Sequence, residues 1–228
     1  MVLRAWEDLP KDMQCPEVKP YYDVLSRRKG SLLLKKLFDL FAASVLLIVL
    51  AIPMLIIAVL VKQDSEGPVF YRQERVTAYG KRFYIHKFRT MVDGAEKIGS
   101  SITTEEDPRI TKIGIKLRQY RLDELPQLFD VLAGNMSFVG TRPEVSKYVD
   151  RYTNEMKATL LLPAGITSEA SIRFKEESSA LESEEDVDRI YLEEVLPQKM
   201  VYNLESIQNF NILKELCTMI KTVLAVLQ

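Results

Sequence analysis

Between Leu40 and Val61 the chain runs 22 residues without a charged side chain, and no other feature restricts its fold so strongly. As one straight helix the run would reach about 33 Å, close to the roughly 30 Å hydrocarbon core of a bilayer. Buried helices of soluble domains are usually shorter and less uniformly apolar, so the segment is read as a membrane element. Its flanks argue against a simple crossing. Arg27, Arg28, Lys29, Lys35 and Lys36 precede it, and Lys62, Arg72, Arg75, Lys81 and Arg82 follow it. Lysine and arginine mark the cytoplasmic side of a membrane segment, and here both ends carry that mark. Pro53 sits past the middle, where a proline removes a hydrogen bond and crowds the preceding turn. The expectation is a re-entrant helix that enters, bends at Ile52-Pro53 and returns to the same face. Asp39, at the edge of the run, is expected to reach headgroup water as a structural residue.

The second constraint is chemical. Arg118-Gln-Tyr-Arg-Leu-Asp-Glu-Leu-Pro-Gln-Leu-Phe-Asp130 is followed by Gly140-Thr-Arg-Pro-Glu144. Leu122, Leu125, Leu128, Phe129 and Leu132 recur at helical spacing, which predicts a helix lying on a core. Pro126 is tolerated only in a first helical turn, so Asp123 and Glu124 fall at the N-terminal end, where ionised carboxylates are favoured. Taken alone, acidic residues there are ordinary capping. Here arginines surround the pair in sequence: Arg118 and Arg121 before it, Arg142 after it. A carboxylate beside several guanidinium groups suits nucleophilic attack on a phosphate, with the arginines and a divalent ion offsetting charge repulsion. Neighbouring helical positions point in different directions, so the pair is not expected to flank one glycosidic bond.

The rest of the chain is read around these two features. Residues 1 to 34 form an interfacial or disordered arm, broken by Pro10, Pro16 and Pro20 and carrying the amphipathic aromatics Trp6, Tyr21 and Tyr22. Gly67-Pro-Val-Phe-Tyr-Arg-Gln-Glu-Arg-Val76 and Arg82-Phe-Tyr-Ile-His-Lys-Phe-Arg-Thr-Met91 flank a turn at Gly80, a pattern that predicts a β-hairpin with a basic face. His86, the only histidine, is read as a strand residue rather than a metal ligand or base. Lys87 and Arg89 are candidates to meet phosphate. Residues 93 to 107 read as a polar loop, and Lys112 to Tyr120 as a basic amphipathic helix for a membrane interface. Pro143 to Leu162 reads as helix with a Tyr148/Tyr152 face, and Pro163-Ala-Gly-Ile-Thr167 as a turn. Lys175 to Asp188 is an acidic, solvated loop. From Ile190 the chain reads as helical with a break at Pro197. Ile207 to Leu227 is apolar but carries Lys214, Glu215 and Lys221, which predicts an amphipathic packing helix rather than a second span.

Composition removes several classes. A net charge of −1 over 228 residues offers no general attraction to nucleic acid. Cys15 and Cys217 are too few and too far apart for a disulfide framework or a metal knuckle. Glu7, Asp8 and Asp12 interrupt any early apolar run, so no signal peptide is expected.

The ordered motifs carry a resemblance. They are Lys36-Leu-Phe-Asp39, Gly67-Pro-Val-Phe70, Arg72-Gln-Glu-Arg-Val76, Lys87-Phe-Arg-Thr-Met91, Asp107-Pro-Arg-Ile-Thr111, Leu122-Asp-Glu-Leu-Pro-Gln-Leu128, Asn135-Met-Ser-Phe-Val-Gly140 and Arg142-Pro-Glu144. From Lys35 to the C-terminus the chain resembles the bacterial monotopic phosphoglycosyl transferases, the sugar transferase family that starts lipid-linked glycan assembly, including lipopolysaccharide and capsule. The resemblance implies transfer of a sugar-1-phosphate from a UDP-sugar to a polyprenol phosphate such as undecaprenyl phosphate, with Mg2+ and release of UMP. It implies Asp123 as nucleophile and metal ligand, through a covalent phospho-sugar intermediate. Glu124 would support the metal or the second step's proton handling. Arg118 and Arg142 would hold phosphate oxygens, with Lys87 and Arg89 behind them, and Pro53 would break the membrane helix. It implies a monotopic protein on the cytoplasmic face of a bacterial inner membrane, in contact with membrane lipids.

Departures bound that transfer of roles. Ile52-Pro53 replaces a more usual Ser-Pro, and Pro163-Ala-Gly-Ile-Thr-Ser168 replaces a more usual Pro-Gly-Ile-Thr-Gly. A non-catalytic membrane scaffold of a glycan pathway would be favoured by an altered dyad, and this dyad is intact. A paired-carboxylate hydrolase is opposed by the adjacency of its two acids. The apolar C-terminal helix is compatible with a homodimer. The expected fold is α+β and mostly helical: residues 1–34 as the arm, 35–62 as the re-entrant helix and 63–228 as a cytoplasmic catalytic domain with a small β-hairpin and interfacial amphipathic helices.

Overall fold

The computed structural model describes residues 3–95, 107–174 and 188–227. The chain is α+β and mostly helical, as expected. Helix α1 (Lys19–Ser26) is followed by α2 (Lys29–Val49) and α3 (Ala51–Asp64), which meet at a 63° bend. The bend falls at Leu50 (φ −91°, ψ 3°), one turn ahead of the expected Ile52-Pro53. The shift has a simple cause. Proline deprives the carbonyl four residues earlier of its donor, here Val49, so the ladder opens before Pro53, which sits in the first turn of α3. Among the described residues no single helix is long and apolar enough to cross a membrane; the bent pair meets that test together.

One face of the pair is buried against the body: Leu32, Lys35, Asp39 and Ala43 from α2, and Met54, Ile57 and Val61 from α3. The other face is bare, with Phe41, Ile48, Ile52 and Leu55 each 65–78 % exposed. Asp39 is on the buried side, contrary to the expectation that it reaches headgroup water. It accepts a hydrogen bond from Ser137 Oγ at 2.7 Å, and Lys35 stands between it (3.5 Å) and Glu215 (2.6 Å). A buried carboxylate requires such partners.

The predicted hairpin is present: β1 (Phe70–Val76) pairs antiparallel with β2 (Arg82–Phe88), from Phe70↔Phe88 to Val76↔Arg82. Its turn carries Tyr79 at φ 59°, and the Tyr79 hydroxyl accepts from Arg4 N at 3.2 Å. The segment holding Arg4 was expected to be interfacial or disordered, and it is folded. Leu3, Leu9, Met13, Val18, Tyr21, Tyr22 and Leu25 are buried in one cluster with Ala158, Leu161, Ile207 and Phe210. The prolines divide this segment into short helices, and each contributes apolar side chains to that cluster.

Helices α4 (Lys112–Gln119) and α5 (Gln127–Leu132) lead into a second sheet that the sequence reading missed. In it β3 (Met136–Val139) pairs in parallel with β4 (Ala164–Thr167), with Met136↔Ala164 and Val139↔Thr167 in register. Residues 163–167, expected as a turn, are therefore largely strand. The glycine and proline that suggest a turn answer a different need: a Cβ on Gly165 would lie 2.2 Å from Gly140 N. Between the strands, the expected 143–162 helix reduces to α6 (Ser146–Val149) and a 3-10 segment, Met156–Leu161. Tyr148 and Tyr152 are both buried there.

Helix α7 (Glu169–Arg173) follows β4. The expected break at Pro197 is absorbed: a π-helical turn, Tyr191–Val195, runs directly into α8 (Leu196–Gln208) with Pro197 in its first turn. Helix α9 (Ile212–Leu227) closes the chain, with Leu213, Ile220, Val223 and Leu224 exposed. Most of the expected polar loop at 93–107 and of the acidic loop at 175–188 lies outside the described residues. Asp188 pairs with Lys147 at 2.7 Å.

Candidate active site

Leu122–Glu124 form a 3-10 turn directly before α5, with Pro126 at the helix entrance. Both acids are buried, Asp123 at 7 % and Glu124 at 9 % exposure. The turn begins at Arg121, one of two non-glycine residues with positive φ among those described (54°). The expected capping position is thus occupied, but by a tighter turn than an α-helical one.

The two carboxylates have different surroundings. Lys87, on β2, donates to Glu124 Oε1 at 2.8 Å. Arg142 reaches Glu124 through both terminal nitrogens, Nη1 to Oε2 at 3.4 Å and Nη2 to Oε1. Burial alone would push the Glu124 carboxyl up; Arg142 and Lys87 overcome it and hold the group well below the usual range. Asp123 has no such clamp, and its Oδ1 is buried without a hydrogen-bond partner. Burial and the neighbouring Glu124 charge push its carboxyl up; Lys87, Arg118 and Arg142 offset only part of that. One acid is a fixed anion, and the other keeps a buried oxygen that no described residue pairs.

The cations arrive by tertiary pairing. Arg142 follows β3, and Gly140 N→Thr167 O (3.0 Å) and Gly165 N→Thr141 O (2.9 Å) extend the β3–β4 pairing up to it. From the other side β1 clamps the same turn. Arg75 Nη1 donates to Pro143 O at 3.1 Å, and Val76 N donates to Glu144 O at 2.9 Å. Arg118, on α4, donates through Nε to Thr90 Oγ1 at 3.0 Å, and its charge acts on Asp123. Arg89 points elsewhere: its Nη2 donates to Ser65 O (2.6 Å) and Ser65 Oγ (2.9 Å), at the exit of α3. Its Nε and Nη1 are buried and unpaired. Pro53 lies in the first turn of α3, just past the bend, and contributes no group to the dyad.

Other polar groups escaped the sequence reading. Glu144 accepts from the Tyr191 hydroxyl and lies 3.9 Å from Arg75, a link between residues far apart in the chain. Gln127, 1 % exposed, leaves both amide atoms unpaired. His86 is a strand residue: its backbone N and Nδ1 both meet Asp130, at 2.9 and 2.8 Å.

Among the described residues no cluster of three or more metal-type side chains exists. Magnesium commonly takes only one or two protein carboxylates and completes its shell with substrate phosphates and water. The orphaned Oδ1 of Asp123 fits that mode. Glu124, already engaged by Lys87 and Arg142, is the weaker ligand.

Beside the dyad lies a cavity of about 230 Å³, walled by apolar residues including Leu46 of α2, Leu50 at the bend, Phe138, Ile166 and Val226. Among the described residues its charged wall residues are Arg121, Glu124 and Arg142.

Residues 30–228 match the model of the bacterial sugar transferase family. The chain belongs to that family. A Bacillus subtilis protein, provisionally named an undecaprenyl-phosphate N-acetylgalactosaminyl 1-phosphate transferase, is 41 % identical over 126 residues, covering 55 % of this chain and 70 % of that one. An Aeromonas hydrophila UDP-N-acetylgalactosamine-undecaprenyl-phosphate N-acetylgalactosaminephosphotransferase is 40 % identical over 123 residues, covering 54 % of this chain but 29 % of its own length. The Klebsiella pneumoniae UDP-glucose:undecaprenyl-phosphate glucose-1-phosphate transferase is 36 % identical over 171 residues, covering 71 % and 36 %. The sequence-based expectation of a phosphoglycosyl transferase agrees with this family and with the relatives' names.

Proposed function

We propose that the protein transfers a sugar-1-phosphate from a UDP-sugar to a polyprenol phosphate through a covalent intermediate on Asp123. The observation that carries this reading is the unequal dyad: Asp123 buried with an unpartnered oxygen, Glu124 locked between Lys87 and Arg142. In the first step an Asp123 carboxylate oxygen attacks the phosphorus that bears the sugar. The bond from that phosphorus to the bridging oxygen breaks, and UMP leaves carrying that oxygen and the electron pair. In the second step an oxygen of the polyprenol phosphate attacks the same phosphorus, and the Asp123 carboxylate leaves. The products are UMP and a polyprenol diphosphate sugar.

The surroundings of Asp123 suit both steps. Lys87, Arg118 and Arg142 supply positive charge where phosphate oxygens gather. Glu124 orients Lys87 and Arg142, which among the described residues have no other carboxylate as close. Burial keeps water from the acyl phosphate, which would otherwise hydrolyse. Bound Mg2+, held by Asp123 and substrate phosphates, would neutralise the diphosphate's charge.

An acceptor of this type lives in a membrane. The bare face of α2 and α3 supports insertion of the bent pair, with both ends returning to the cytoplasmic face of a bacterial inner membrane. The reading is tested by UMP release from a panel of UDP-sugars, with and without undecaprenyl phosphate and Mg2+. Acceptor-dependent turnover with one sugar supports it. No UMP from any donor with folded protein in nanodiscs contradicts it, and favours a scaffold.

A further inference from the structure

The cavity beside the dyad has a composition that the donor does not explain. Among the described residues that wall it, Arg121, Glu124 and Arg142 are charged and most of the others are apolar. A nucleotide or sugar lodged there would leave hydroxyls and amides unpaired, at a cost that such sites avoid. An isoprenoid chain has no such groups.

Its position points the same way. Leu46 lies near the end of α2 and Leu50 at the bend, and Thr222, Ala225 and Val226 lie in the second half of α9. Near their other ends the two helices are joined by Lys35 and Glu215 at 2.6 Å. Thr222 Oγ1 lies 2.7 Å from Thr167 Oγ1, which fastens α9 to β4 beside the cavity. The cavity wall therefore includes residues at the apolar bend, at the end of α9 and in the acid pair.

Arg121 is the independent observation. Its φ of 54° is one that L-residues with a bulky side chain adopt only at a cost. It lines the cavity one residue from Leu122 and two from Asp123. Arg142 is committed to Glu124 and Arg118 to Thr90, whereas the Arg121 side chain makes no hydrogen bond or ion pair among the described residues. An uncommitted cation at the charged end of an apolar cavity matches a lipid with one phosphate head.

We propose that this cavity holds the phosphate-proximal isoprene units of the acceptor, with Arg121 binding the acceptor phosphate and Ala225 and Val226 of α9 setting the fit of the chain. The proposal rests on the transferase reading above. A volume of about 230 Å³ is below the ~300–1,000 Å³ of ordinary ligand pockets, so only the head of the chain enters and the rest stays in the bilayer. Residues of α9 thus act as specificity determinants, and Arg121 as a binding residue of the second step alone.

The test separates the two half-reactions in full-length protein in nanodiscs. Ala225→Trp and Val226→Trp are compared with the parent using undecaprenyl phosphate and geranyl phosphate, which has two isoprene units. Filling the cavity is expected to raise KM for both acceptors about tenfold, with the UMP burst formed without acceptor changed less than about twofold. Arg121→Gln is expected to raise both acceptor KM values by a similar factor through loss of a charge-assisted contact. Ala225→Leu serves if tryptophan disturbs packing. Unchanged acceptor KM values with a normal burst overturn the proposal, as does a rise confined to the long acceptor, which would mean only bilayer contact. A rise in donor KM instead assigns the cavity to the donor and also overturns it. Absence of any burst in the parent protein fails the covalent reading and not the cavity.

Discussion

Glu124 is fixed between Lys87 and Arg142, while the adjoining Asp123 keeps a buried carboxylate oxygen with no partner. Two acids one residue apart are thereby assigned opposite tasks. Glu124 holds the cations in place, and Asp123 stays available for reaction.

Replacing Glu124 by Gln removes the anion that compensates two buried cations. The expected loss is on the order of 3 kcal/mol of stability, together with most activity. The sign with pH follows from a folded-state pKa held below the ordinary value. The contribution is full above the unfolded pKa of roughly 4.3 and is lost as pH falls through the folded one. Thermal melts of parent and variant are expected to differ at pH 7 and to converge under strongly acidic conditions.

Asp123 behaves in the opposite sense, because its carboxyl is pushed up. Its ionisation costs stability as pH rises from the unfolded value through the folded one. Asp123→Asn is expected to match or exceed the parent in melting temperature at pH 7 while losing the UMP burst. The acid limb of the burst's pH profile is expected to lie above the ordinary carboxylate range of about 4. A variant that melts well below the parent would contradict this assignment.

Lys35 stands between Asp39 and Glu215. Lys35→Met leaves two buried carboxylates without their cation, an expected loss of about 3 kcal/mol. Burial pushes the Glu215 carboxyl up, so acidification that protonates it is expected to narrow the gap. Equal melting temperatures at neutral pH would show that the pair does not fasten α9 to α2.

Gly165→Ala tests the carrier of Arg142. The added Cβ would meet Gly140 backbone atoms at 2.2–2.6 Å, and backbone on both sides cannot yield. Loss of about 3 kcal/mol and of the UMP burst is expected. Gly30→Ala is the matched control: Gly30 lies in α2 with open space around it, so the change is expected to be neutral or slightly stabilising.

What could be read from the chain alone was what sits in contiguous motifs. The acid pair, Pro126 and the hairpin are local patterns, as is the apolar run with its basic flanks, and each appears in the fold. The pairing of β3 with β4 joins two four-residue strands that lie far apart in sequence, and a run of Ala, Gly, Ile and Thr after a proline carries no strand signal. Arg89 and Lys87 share one strand end and differ only in where tertiary packing sends them, one to Ser65 and the other to Glu124. In the N-terminal segment, read as interfacial or disordered, the prolines separate short helices whose apolar side chains share one core, a long-range packing that local sequence does not display. The bend lies ahead of Pro53 because a proline acts on the carbonyl one turn earlier.

The most direct test of the central claim is intact-protein mass spectrometry after mixing with the cognate UDP-sugar and Mg2+ in the absence of acceptor. The account expects a mass increase equal to one sugar phosphate, mapped to the peptide containing Asp123, discharged by undecaprenyl phosphate and absent from Asp123→Asn. UMP formed with no adduct on trapping, or an adduct that persists in Asp123→Asn, would contradict it.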